Sequence, residues 1–375
     1  MPWGRSVEEA RREFLDEFGR PGVNRRAVCR THGISPKAGY GLWNRYCAEG
    51  EAGVRERSRR PHHSPARLSD EIEARILALR EAYRCGPRKI RWHLEQEGQC
   101  LVPARSTIEA VLKRNGRIPP ERSAKSRPYQ RFEHAQPNQM WQMDFKGHFP
   151  LRNGQRCHPL TILDDHSRYL IELHACTDER METVRDRLKL RFRENGLPEV
   201  ILADNGSPWG SAGSDGYTEL EVWLMRLDVA LHHGRKHHPQ TQGKVERVHR
   251  TLGEEMELDF LDYADAQSEF ERYRPRYNRE RPHEAIGMAV PASRYCPSER
   301  EYPETLPPVE YDAGDQVRAV DDQGKFSYRG RRMRVGRAFG GHRVAIRPDE
   351  ADGTIDVYFC RHRIAQLDLR GGSRG

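Results

Sequence analysis

The 375-residue sequence contains no apolar run of about 18 residues, the least a membrane-crossing helix needs. Its N-terminus is charged from Arg5 onward and lacks an apolar segment leading to a small-residue cleavage site. Neither a membrane span nor a signal peptide is expected, so the protein is expected in the cytoplasm. Aromatic residues make up 8% of the chain and apolar residues 36%, and the mean hydropathy is −0.92. So polar a chain of this length suits several modest cores, roughly two to four domains. Eight cysteines are present (Cys29, Cys47, Cys85, Cys100, Cys157, Cys176, Cys296 and Cys360), but none falls in a C-x-x-C pair or at zinc-ligand spacing. That argues against a disulfide framework and a zinc site and for reduced, mostly buried thiols. His232, His233, His237 and His238 have no cysteine or carboxylate partner at ligand spacing and read as a polar loop.

Charge is present in excess of one sign, and unevenly. Lys plus Arg exceed Asp plus Glu by 12 over residues 1–131 and by 5 over 313–375, whereas acids exceed bases by 9 over 132–312. Basic flanks neutralise phosphates and release counterions, while carboxylates gathered in a nucleic-acid enzyme must be offset by metal ions.

Residues 7–48 read as three short helices. Gly33 supplies a tight turn, Ser35 suits an N-cap and Pro36 the first helical position, the arrangement of a helix-turn-helix. Arg25, Arg26, Arg30, Lys37 and Arg45 surround the turn, and Arg26 and Lys37 are candidate DNA contacts. A second trihelical pattern follows: Ile72, Ile76, Leu79 and Tyr83 share one helical face, and Ile90 and Leu94 continue it after Gly86-Pro87. Pro103 then opens a segment through Ile108, Val111 and Leu112 to Gly116. Arg105, Ser106 and Thr107 lie in its first turn, where recognition helices present side chains to base edges. Residues 51–67 and 119–131 are basic and proline-containing and read as linkers.

The character then changes. Met140 to Phe145 alternates, placing Trp141, Met143 and Phe145 on one face and Gln142 and Asp144 on the other. Leu160 to Leu163 and Tyr169 to Leu173 are further strands, with Asp165 to Arg168 as the turn between them, so a three-stranded antiparallel meander is expected. Met181, Val184, Leu188 and Phe192 recur at helical spacing, and the apolar run Val200 to Ala203 reads as a buried parallel strand. Asp204 follows at its carboxyl end, where open α/β sheets place ligands. Val245, Val248, Leu252 and Met256 mark the buried face of a later helix, which leaves Glu246 at the seam with the sheet. Trp141 and Trp209, beside two of these acids, read as core rather than as base-stacking platforms.

The succession of a mid-strand acid, a strand-end acid and a helical acid resembles the ribonuclease H-like core of retroviral integrases and bacterial insertion-sequence transposases, with Asp144, Asp204 and Glu246 matching their Asp-Asp-Glu triad. The stretches Asp204 to Trp209 and Gln242 to Arg247, with Tyr277-Asn278 and Arg281-Pro282-His283, look like the bacterial branch. The resemblance covers roughly residues 5–300. It has two departures. Asp204 and Glu246 stand 42 positions apart, more than is usual in the family, with Gly210 to Gly216 as the apparent insertion. Gly253 occupies the place, seven residues after the glutamate, where the family usually has Lys or Arg; Arg250 is the nearest substitute.

The resemblance implies a multidomain protein: a helix-turn-helix domain (1–50), a basic linker (51–67), a second helix-turn-helix domain (68–118), another basic linker (119–131), an α/β ribonuclease H-like catalytic core (132–300) and a small β-barrel (308–375). The barrel follows from short strand-like runs at 316–320, 332–335, 343–346 and 355–359; roles in DNA binding and in protein contact both stay open for it. The triad is expected to ligate two Mg²⁺ or Mn²⁺ ions about 4 Å apart, Asp144 bridging both, for in-line displacement at phosphorus. Asn205, Gln242, Lys244, Arg247 and Arg250 are candidate DNA contacts at that site. Double-stranded DNA, as element ends and as target, is the expected partner, held by at least a dimer. Two other readings remain: an inactive DNA-binding relic, and a nuclease that cuts without joining. The paired DNA-reading units argue against the second, because indiscriminate cleavage needs only phosphate contacts.

Overall fold

The computed structural model describes residues 6–57, 68–98, 101–118, 133–210, 216–234, 243–348 and 353–369. The chain divides into two units, Met1–Ser69 and Asp70–Gly375. In the first, α1 (Val7–Phe18), α2 (Arg25–Thr31) and α3 (Pro36–Glu49) enclose Phe14, Leu15, Phe18, Val28 and Cys29. Ser6 and Glu9 close the start of α1 as a capping box, and Ser35 caps α3 with Pro36 at its first position. Gly33, at φ 68°, makes the turn between α2 and α3, a conformation cheap only for glycine. One expected boundary shifts. Residues 51–54, assigned above to the linker, form a 3₁₀ turn with Gly50, with Val54 buried in this core and its carbonyl accepting from Arg11 Nη1 at 2.9 Å. A valine within reach of an apolar pocket is worth more inside than in solvent. Arg55 and Arg57 are exposed beyond it. Residues 58–67 and the second linker, 119–131, lie outside the described residues.

The second unit begins with α4 (Asp70–Tyr83), α5 (Pro87–Gln96) and α6 (Arg105–Arg114). Ile76, Leu79, Ile90, Leu94, Ile108, Val111 and Leu112 fill the space between them, as the helical periodicity predicts. The trihelical bundle is not an isolated bead. Arg84 pairs with Glu257 at 2.7 Å, Arg88 with Glu284 at 2.8 Å, and Tyr83 Oη donates to Glu280 at 3.1 Å.

The central α/β body follows in the order β1 (Met140–Phe145), β2 (Phe149–Pro150), β3 (Arg156–Asp164), β4 (Leu170–Cys176), α7 (Met181–Asn195), β5 (Val200–Ala203), α8 (Glu219–Arg226), β6 (Ala230–His233), α9 (Gly243–Glu255) and α10 (Tyr263–Arg279). β3 pairs antiparallel with both β1 and β4, giving the expected meander, and β5 joins β1 in parallel. β6, which the sequence pattern did not reveal, extends the sheet beyond β5. β1 therefore lies in the middle of the sheet. Its alternation sends Trp141, Met143 and Phe145 to the side covered by α7 and α8, where Trp209 stacks on Phe145. Both tryptophans are core, as expected. The opposite side is covered by α9 and α10 through Val248, Leu252, Phe270, Tyr273 and Tyr277. Asp144 thus faces α9.

The C-terminal module has a four-stranded antiparallel sheet of β7 (Gln316–Ala319), β10 (Arg343–Pro348), β11 (Thr354–Phe359) and β12 (His362–Asp368), and a hairpin of β8 (Lys325–Tyr328) and β9 (Arg331–Arg334). Both wrap one core that includes Phe326, Phe339, Val344, Val357 and Phe359; among the described residues no pairing closes them into a single ring. Val222 of α8 enters that core, and Tyr217 Oη donates to the Ile364 carbonyl at 3.2 Å. The module is therefore built onto the central body by the helix that follows the Asp204 loop.

Candidate active site

Asp144 leaves the sheet toward α9 with about a fifth of its side chain exposed (21%). Asp204 stands directly after β5, parallel neighbour of β1, and is exposed. Its carboxylate accepts from the Gly206 N–H at 2.9 Å, a local turn bond that fixes the side chain over its own loop. Glu246 lies in the first turn of α9 and is exposed, while its neighbours Val245 and Val248 are buried.

Asp204 and Glu246 act on Asp144. Burial, and then the charges of Asp204 and Glu246, push the Asp144 carboxyl up to about 7. Glu179, which the sequence did not single out, adds to the effect from the loop after β4 while pairing with His158 at 2.8 Å. His249 comes within 3.8 Å of Asp144, but burial lowers it to about 4, so near neutrality it is an uncharged imidazole that also meets Thr161 Oγ1 at 3.1 Å. It does not neutralise the acid. A half-buried carboxylate raised by two neighbouring acids is suited to a divalent ion, and oxygen donors are the set that Mg²⁺ or Mn²⁺ prefers. The donor chemistry fits, although among the described residues no three His, Cys, Asp or Glu side chains already converge as a closed cage.

The remaining sequence candidates divide. Arg247 and Arg250 are exposed on α9 beside Glu246, and Arg26, Lys37, Arg105 and Ser106 are exposed on their helices, with Thr107 half-buried. Asn205 is exposed, yet its side-chain amide donates to the Gly234 carbonyl at 2.6 Å, so it ties the Asp204 loop to the end of β6. Gln242 lies outside the described residues. Lys244, expected to face DNA, instead turns inward and pairs with Asp165. The cause is the carboxylate itself: a side chain of Asp165 with no exposure needs a cation more than solvent does.

The motif after the triad is structural. Asn278 accepts from the Leu170 N–H at 2.7 Å and donates to the Leu170 carbonyl at 3.0 Å, completing the edge of β4. Arg281 pairs with Glu255 at 2.8 Å, both largely buried, and so pins the far end of α9 to α10.

Comparison with known families agrees with this architecture. Residues 134–239 match one integrase core domain family and 227–291 a second; 39–112 match a homeodomain-like domain, and 315–375 match the IS481 family transposase C-terminal domain. The chain is 25% identical over 243 residues to an uncharacterized 31.7 kDa protein of insertion element IS407 from Burkholderia multivorans, spanning 61% of this chain and 82% of that one. It is 31% identical over 119 residues to the Gag-Pro-Pol polyprotein of sheep pulmonary adenomatosis virus, spanning 31% of this chain and 6% of the polyprotein. Among solved structures it is similar to a simian T-cell lymphotropic virus intasome (16% identity, TM-score 0.36, 77% of this chain and 99% of that chain). It is also similar to the HTLV-2 integrase catalytic core domain (16% identity, TM-score 0.31, 43% of this chain and 97% of that chain).

A helical, homeodomain-like region, a mixed sheet and the family matches together define a protein with an integrase core. Within that class the chain carries an IS481 family transposase C-terminal domain and is similar to a protein of a bacterial insertion element.

Proposed function

We propose that this protein binds the ends of its own mobile element and catalyses metal-dependent DNA strand cleavage followed by strand transfer. The observation that carries the reading is the electrostatic convergence of Asp204 and Glu246 on half-buried Asp144. Asp144, Asp204 and Glu246 would hold two Mg²⁺ or Mn²⁺ ions, which when bound supply activation of the attacking oxygen and stabilisation of the leaving oxygen at phosphorus. Asp144 contributes a carboxylate whose direction is fixed by a central strand. Asp204 contributes one fixed by its own turn and by the β6 contacts of its loop. Glu246, on the exposed first turn of α9, and the exposed Asp204 are the members open to DNA. Arg247 and Arg250 lie next to it and are suited to phosphates flanking the scissile bond.

Arg26 and Lys37 in the first helical unit, and Arg105, Ser106 and Thr107 at the start of α6, are the candidates for reading element ends. The partner is duplex DNA, as terminal repeats and as target, and because joining requires two ends together the working form on DNA is at least a dimer. Such an enzyme works in the cytoplasm, on the nucleoid. The test is metal-dependent cleavage and joining of DNA carrying the sequences that bracket its gene, lost in Asp144→Asn with DNA binding retained.

A further inference from the structure

The residue two places before Asp144 and the residue two places before Glu246 meet on the same buried carboxylate. Gln142 shares a face of β1 with Asp144, and its Nε2 donates to Asp165 Oδ1 at 2.8 Å. Its Oε1 accepts from the backbone N–H of Val245 at 3.4 Å. Lys244 donates to the same Oδ1 and to the Asp165 carbonyl, the latter at 3.2 Å. Asp165 Oδ2 accepts from the His134 backbone N–H and faces His134 Nδ1, each at 3.0 Å. The loop is itself tied to the start of β1 by the Asp165 N–H, which donates to the Met140 carbonyl at 2.9 Å. The side chains of Gln142 and Asp165 have no exposure, and Lys244 keeps 15%.

From this geometry we infer that Asp165 and Lys244 are positioning residues for the metal site: their ion pair, with Gln142, sets the separation of Asp144 on β1 from Glu246 on α9. The inference rests on the reading that those two acids hold the ions. Apolar packing alone holds α9 against the sheet but leaves it free to slide by a fraction of an ångström, whereas directional bonds from both elements to one carboxylate fix the register. Ion affinity is sensitive to such displacement, and partners that orient ligands from behind typically carry about 10- to 100-fold of it.

The experiment uses the full-length protein as wild type, Lys244→Met and Lys244→Arg. It measures Mn²⁺ binding by calorimetry, and duplex DNA binding in EDTA as a function of salt. The expected result is that Lys244→Met loses about tenfold or more in Mn²⁺ affinity, that Lys244→Arg recovers most of it, and that DNA binding in EDTA is unchanged in both. Unchanged Mn²⁺ affinity overturns the inference. So does a fall in DNA affinity with a salt slope reduced by about one, the signature of a phosphate contact. Should Lys244→Met not fold, Lys244→Gln, which keeps a donor without the charge, is read by the same criteria. Mn²⁺ binding by wild type that survives Asp144→Asn overturns the metal reading itself; Mn²⁺ binding without DNA cleavage overturns the transposase reading alone.

Discussion

His233 bridges the Asp204 loop to α8: its Nδ1 lies 2.7 Å from the Asp204 carbonyl oxygen and its Nε2 3.1 Å from Glu221 Oε1. Glu221 is buried and draws the imidazole upward in pKa. The next residue, Val222, belongs to the core of the C-terminal module, so one short helix serves both the Asp204 loop and the docked module. His233→Ala is expected to cost about 1–3 kcal/mol of stability through the partner lost to Glu221. It is also expected to lower turnover more than DNA affinity, because Asp204 loses an anchor while the DNA-reading helices are untouched. Urea unfolding and a kcat against KM comparison check both parts; an effect on DNA affinity alone would contradict the assignment.

Arg281 and Glu255 form an enclosed ion pair at the far end of α9, with side-chain exposures of 16% and 7%. Removing one partner strands the other charge, so Glu255→Ala is expected to destabilise by about 3–5 kcal/mol. The double change Glu255→Leu with Arg281→Leu is expected to be much milder. Equal losses in the single and double variants, by chemical denaturation, would show that packing and not charge governs the site.

Gly253 sits on exposed helix with open space around its Cα. Gly253→Lys is expected to raise stability by about 0.5–1 kcal/mol, because glycine is a poor helix former, and to steepen the salt dependence of DNA binding by roughly one phosphate contact. A thermal melt and a salt titration of affinity test the two independently.

Burial holds two further imidazoles neutral, lowering His174 to about 4 and His283 to about 2. Arg187 and Arg191 face His174; Arg281, Lys89, Arg168 and Arg247 face His283. Both folded-state values lie below the unfolded value of about 6.5, so below that pH the unfolded chain binds protons that the folded chain does not. The stability each contributes is complete above pH ~6.5 and is lost toward the folded pKa, at up to about 1.4 kcal/mol per pH unit. Asp144, raised to about 7, works in the opposite direction. The informative comparison is therefore wild type with His174→Gln: the fall in stability from pH 6.5 to 4.5 is expected to be shallower in the variant. Identical slopes would contradict a neutral, half-buried His174.

Much of the site was legible because it follows short-range rules. Two-residue alternation placed Asp144 opposite Trp141 and Met143, the apolar run before Asp204 marked a strand end, and the i, i+3, i+7 spacing of Val245, Val248 and Leu252 put Glu246 at a seam. What escaped are long-range partners. Asp165 reads as a turn residue beside Ser167, and nothing local says that it is buried or that its cation is Lys244, 79 positions away. Glu221 and His233 meet across 12 positions through α8 and β6, short elements whose patterns are too brief to stand out. Val54, a lone valine among charged residues, carried too little signal to extend the first domain.

The central claim is tested most directly by incubating the protein with Mn²⁺ and labelled duplex carrying the element's own ends, beside Glu246→Gln, and resolving cleaved from joined strands. Both products are expected from wild type, neither from Glu246→Gln, and end-specific binding is expected to be equal in the two. Specific binding by wild type with no metal-dependent product, or joining that persists in Glu246→Gln, would contradict it.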